Sequence, residues 1–125
     1  MPPAPRPRAL WPLQLLRLLS VIDNQVRSLR KRQAIDAFKG DVRDGTYWGI
    51  RTEIDDYELP TALPAPHAKT IELAEIATRL GRMADGEQQR LINWGYAVCD
   101  AAMRRHVIDA AAAPAASFPY AGGVG

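Results

Sequence analysis

The sequence offers few residue types that could do chemistry, and their surroundings argue against most of them. Three serines are present, Ser20, Ser28 and Ser117. A serine nucleophile of the Gly-x-Ser-x-Gly kind needs the sharp strand-to-helix turn that its glycines permit, so that the hydroxyl is presented to substrate. None of the three has those neighbours, and Ser20 and Ser28 fall inside a helical pattern as ordinary hydroxyls. His67 and His106 form neither an HExxH pair nor any i,i+4 pair, so no metal site is expected. A loop contact and charge at a helix end account for them. Cys99 has no His or Lys on its turn of helix to lower its pKa, and reads as a small core residue. Asp44-Gly45 and Asp85-Gly86 read as a turn and a helix cap. No catalytic, cofactor-binding or metal-binding residue is therefore assigned.

The sharpest charged feature is Arg27-Ser28-Leu29-Arg30-Lys31-Arg32. Basic helices can meet phosphates, and with the leucines before this run an amphipathic helix could meet an anionic membrane surface through Arg27, Arg30, Lys31 and Arg32. A solvated face of a core-packed helix is the plainer reading. Nucleic acid is not expected as a partner, because no aromatic side chains are interleaved with the charges.

The elements that would position these residues follow from periodicity. Residues 1–12 read as a disordered Pro/Arg-rich tail, with Pro2, Pro3, Pro5 and Pro7 removing helical donors. Pro12 suits a first helical turn, and Leu15, Leu18, Leu19, Ile22, Val26, Leu29, Ile35 and Phe38 recur at helical spacing up to Gly40. From Gly45 to Ile54 the chain turns β-branched and aromatic. Trp48, Ile50, Thr52 and Ile54 alternate, which predicts one strand begun by the Asp44-Gly45 turn. Pro60, Pro64 and Pro66 mark an irregular connection. A second helix is expected from Thr70 to Leu80, closed by Gly81.

Asp85 with Gln88 three residues on has the capping-box pattern, opening a third helix. On it Leu91, Trp94, Gly95, Val98 and Ala102 form one row, and Ile92, Tyr96, Cys99, Met103 and Val107 the next. So wide an apolar stripe predicts a well-buried helix. Arg104, Arg105 and His106 complement the negative end of its dipole. Residues 110–125 read as an Ala/Gly-rich tail. One strand without a partner is a difficulty, since its N–H and C=O groups need a ladder.

With 125 residues, 47% hydrophobic and 24% charged, the chain has the size of one ordinary soluble domain and is short for a whole α/β enzyme. Its single cysteine cannot form an intrachain disulfide, and Pro12, Gln14 and Arg17 interrupt the apolar stretch 10–22, so neither a signal peptide nor a membrane span is read. A reducing, cytoplasmic setting is the expectation. The net charge of +2 hides an asymmetry: residues 1–50 hold nine Lys/Arg against four Asp/Glu, and residues 51–125 seven against ten. Packing of the two halves accounts for it.

Three segments, in order, carry a resemblance. Val21-Ile22-Asp23-Asn24-Gln25-Val26-Arg27-Ser28-Leu29-Arg30-Lys31-Arg32, Gly45-Thr46-Tyr47-Trp48-Gly49-Ile50 and Arg90-Leu91-Ile92-Asn93-Trp94-Gly95-Tyr96-Ala97-Val98-Cys99-Asp100-Ala101-Ala102-Met103-Arg104 are similar to the C-terminal portion of bacterial patatin-like phospholipases. The likeness runs from about residue 13 to about residue 120. It implies an α/β lipid acyl hydrolase with a sheet between helical layers. Such an enzyme uses a serine in Gly-x-Ser-x-Gly, an aspartate in Asp-Gly-Gly or Asp-Gly-Ala, and a glycine-rich oxyanion loop.

In that family all three precede the matched region, and this sequence contains none of them. Asp44-Gly45 is followed by Thr46 and comes after the basic helix, so the family's aspartate is not carried onto it. The expectation is an α/β family fragment, mainly helical, with three helices and one strand over residues 13–109. It would be inactive alone, and its partner would be the missing N-terminal half of the hydrolase domain. The strand would pair with that half, and the stripe at 91–107 would pack on its sheet. The competing expectation is a free-standing helical interaction module that binds a protein partner or an anionic membrane surface through residues 13–32.

Overall fold

A computed structural model describes residues 11–78 and 81–125. The order of elements is α1 (Trp11–Lys39), a 3-10 turn (Ile54–Tyr57), α2 (His67–Ala74) and α3 (Asp85–His106). The chain divides into two compact units, Met1–Arg43 and Asp44–Gly125. The disordered tail expected at residues 1–12 lies outside the described residues up to residue 10, and Trp11 and Pro12 already belong to α1.

In the first unit α1 runs for 29 residues, as the recurrence of leucines predicts. Pro12 sits in its first turn, where its missing N–H costs nothing, and Lys39 stands in the last turn against the negative end of the dipole. The left-handed residue that ends the helix is Asp41 (φ 53°) rather than Gly40. Val42 N–H donates to the Ala37 carbonyl at 3.0 Å and Asp41 N–H to that of Phe38 at 3.4 Å, the pair of bonds that closes a Schellman end. No residue of α1 is buried.

In the second unit α3 is the spine, packed against α2 and the 3-10 turn. Ala97, Ala101 and Ala102 keep its inner face small, so that Ile54, Tyr57 and Leu73 close on it around Trp94 and Val98. Ile54 and Tyr57 are three apart in a 3-10 turn, which puts both on the same side.

The strand expected over residues 45–54 is absent, and no other strand occurs among the described residues. The main-chain groups that a ladder would use are taken elsewhere. Gly49 N–H donates to Thr52 Oγ1 at 2.8 Å and Thr52 N–H returns to the Gly49 carbonyl at 3.0 Å, folding the segment into a turn. Trp94 Nε1–H donates to the Ile50 carbonyl at 3.0 Å, and the Tyr57 hydroxyl to that of Tyr47 at 3.2 Å. Side chains thus satisfy what period-two patterning would have given to a neighbouring strand.

Three helix ends also differ from expectation. α2 begins at His67, directly after Pro66, and stops at Ala74, well short of Leu80. Leu73 is buried and Ile76 packs beside the core, but Ala77 and Thr78 are exposed, so these two described residues add no burial to support another turn. Residues 79 and 80 lie outside the described set. At α3 the N-cap is Ala84, with no side-chain cap bond; Asp85 is already helical, and Gln88 Nε2 donates to the Met83 carbonyl at 2.9 Å. Asp85 and Glu87 still serve the positive end of the dipole.

Residues 110–125 do not trail away from α3. Arg104 ties down the carbonyls of Ala110, Ala113 and Pro114, Phe118 packs on the core, and Val124 is buried.

Candidate functional site

Each residue type that could do chemistry has a structural setting of its own. Ser20 and Ser28 are exposed on α1, and Ser117 is exposed on the returning C-terminal segment. His67 opens α2 with Nδ1 buried and unpartnered, while the His106 ring meets Tyr57 edge-on, centroids 5.9 Å apart. Cys99 is a half-buried free thiol on α3. No group of three or more His, Cys, Asp or Glu that could hold a metal exists among the described residues. Burial raises the Tyr57 hydroxyl above its ordinary range, with Asp56 adding to the effect. The hydroxyl donates to a backbone carbonyl, which is a structural use of that group.

What the second unit does offer is apolar. Trp48, Gly49 and Ile50 face Leu91, Trp94, Gly95 and Val98 across an open groove of about 260 Å³. The Trp94 to Ile50 hydrogen bond fixes its floor. No ionisable side chain lines it, so it can hold an apolar group but cannot move a proton.

Along α3 the two rows read from the sequence part company. Trp94, Val98 and Ala102 of the first row are buried, although its Gly95 is exposed. In the second row Cys99 and Met103 are half-buried, while Ile92 is 48% exposed, Tyr96 40% and Val107 39%. The helix is apolar on a wider arc than its own unit covers.

The polar work lies in residues that periodicity passed over. Asn93 is 0% exposed; its Nδ2 donates to the carbonyls of Tyr120 (2.8 Å) and Gly123 (2.7 Å), and its Oδ1 accepts from Tyr120 N–H at 2.9 Å. Arg90 donates to the Val124 carbonyl at 2.8 Å and to Glu72 at 3.1 Å. An asparagine inside the run Leu91-Ile92-Asn93-Trp94 was the signal, since a polar side chain on a buried face must have partners. The bonds from Lys69 and Arg90 hold the Glu72 carboxyl below its usual range.

On α1, Trp11, Leu15, Leu18, Ile22, Val26 and Leu29 are all exposed. Arg27 pairs with Asp23 one turn back at 2.8 Å. No described helix is long and apolar enough to cross a membrane.

No family model matches the chain, and no curated protein and no solved structure is similar to it at a significant level.

Proposed function

We propose that this chain is the helix-rich C-terminal part of a patatin-like lipid acyl hydrolase, a non-catalytic piece that packs α3 onto the remainder of that fold. The observation that carries the reading is the open row of α3. Ile92 and Tyr96, with Val107 just past the helix end, are exposed beside the buried Trp94, Val98 and Ala102, and Cys99 and Met103 between them are half-buried, as on a helix whose apolar arc is to be covered on a second side. The three segments similar to the family fit this role, as does the lack of a Gly-x-Ser-x-Gly serine in the sequence.

The test is co-expression with the sequence encoded just upstream. That sequence is expected to hold a Gly-x-Ser-x-Gly after an apolar strand and later an Asp-Gly-Gly or Asp-Gly-Ala turn. The two pieces should co-purify and hydrolyse aryl esters, whereas Ile92→Asp should prevent assembly. Absence of both motifs within about two domain lengths upstream, or turnover by the chain alone that Ser20→Ala or Ser28→Ala abolishes, overturns the reading.

A second reading, a helical interaction module, is favoured by one observation: α1 buries none of its 29 residues.

A further inference from the structure

We infer that α1 is an interfacial helix that lies flat on an anionic lipid surface, its apolar stripe among the acyl chains and its arginines on lipid phosphates. The stripe is Trp11, Leu15, Leu18, Ile22, Val26 and Leu29, whose spacings of four, three, four, four and three place them on one face. All six are exposed. At 1.5 Å per residue the stripe is about 27 Å long, a large apolar band for a chain to leave in water.

An apolar band alone would fit many surfaces, and charge selects among them. α1 carries Arg17, Arg27, Arg30, Lys31, Arg32 and Lys39 against only Asp23 and Asp36, and Asp23 is engaged with Arg27. At the helical pitch Arg30 and Arg32 fall on opposite borders of the last turn of the stripe, while Arg17, Arg27 and Lys31 lie on the far side. Border arginines can run their methylene stems along the acyl boundary and set their guanidinium groups on phosphates. Trp11, at the start of the stripe, has the amphipathic ring that settles at headgroup depth. A second copy of α1 laid parallel would bring one basic half, residues 27–39, against another, so charge opposes that arrangement. Spanning is excluded for α1, which is not apolar enough to cross a bilayer. Lying in the interface is what an apolar stripe with a cationic border does.

The inference does not depend on the acyl hydrolase reading, because lipid binding needs no nucleophile and no second piece. The experiment is co-sedimentation of the full chain with phosphatidylcholine vesicles, with and without phosphatidylglycerol. Binding is expected only with the anionic lipid. A basic residue near such a surface contributes about fivefold in affinity, so Arg30→Gln with Arg32→Gln should weaken binding roughly 25-fold. Ile22→Asp, in the stripe, should abolish it, whereas Leu13→Asp, on the opposite face, should leave it within about twofold. Far-ultraviolet circular dichroism keeps these variants comparable, and the arginine pair, which leaves the apolar stripe intact, provides an arm independent of Ile22→Asp. Equal binding to neutral and anionic vesicles, or equal loss from Leu13→Asp and Ile22→Asp, overturns the inference. So does a lipid-free dimer that Ile22→Asp dissociates, which would make a second copy the occupant.

Discussion

Asn93 holds Tyr120 at both of its backbone groups, accepting from the amide N–H at 2.9 Å and donating to the carbonyl at 2.8 Å. A third bond, to the Gly123 carbonyl at 2.7 Å, makes one side chain the clasp for the C-terminal segment. Only an asparagine or glutamine amide can donate and accept in this way, and at this depth glutamine adds a methylene to a filled space.

Replacing Asn93 with Ala should therefore cost about 2–3 kcal/mol, from three lost bonds and backbone groups left without partners. Asn93→Asp should be worse, because a buried carboxylate has no donor for the two carbonyls. Urea midpoints would show the loss. Faster proteolysis at residues 118–124 would locate it, and an unchanged cleavage pattern would argue that the clasp does not hold the segment.

How much was legible beforehand depends on which force set each feature. α1 and the body of α3 follow from burial or exposure of periodic apolar residues, and both occur within a few residues of expectation. The strand failed because alternation at Trp48, Ile50 and Ile54 is only half of a strand's requirement; the ladder was replaced by the Gly49–Thr52 turn, by a bond from Tyr57 just beyond the segment and by one from Trp94, 44 residues past Ile50. The Trp94 partner leaves no local trace. The packing of residues 110–125 was hidden for the same reason, since Asn93 and Arg104 reach backbone carbonyls, which every sequence has.

Trp94→Phe isolates the bond that shapes the groove. The substitution keeps most of the buried ring but removes the Nε1–H that reaches the Ile50 carbonyl. A loss of about 1–2 kcal/mol is expected, with the 48–52 turn exchanging its amides faster than α3. Equal exchange in the turn of both proteins would show that Gly49 and Thr52 hold it unaided.

Arg104 is only 7% exposed at its side chain and pairs with Asp100 at 2.8 Å, itself 14% exposed. Its remaining donors reach the carbonyls beyond α3, including that of Pro114. Arg104→Met should cost about 3 kcal/mol, because Asp100 is left sheltered without its partner. Asp100→Asn should cost less, and the double variant should recover part of the loss. Additive losses would mean that the arginine acts through the carbonyls rather than through the pair.

Glu72 of α2 is tied to the C-terminal segment through Arg90 of α3. It accepts from Lys69 at 3.2 Å and from Arg90 at 3.1 Å, and these bonds hold its carboxyl below the ordinary range. The folded state therefore binds this proton less readily than the unfolded chain. The stability it contributes is complete above the unfolded pKa and disappears as the pH falls through the lower, folded value. The effect is small for so exposed a carboxylate, but Arg90 also holds the Val124 carbonyl, so acid should loosen the chain's end as well. Urea midpoints taken from neutral pH downward should show a shallower acid limb in Glu72→Gln than in the parent chain, with little difference in slope above pH 6. An acid limb of the same slope in both would mean that Glu72 is not the group that takes up the proton.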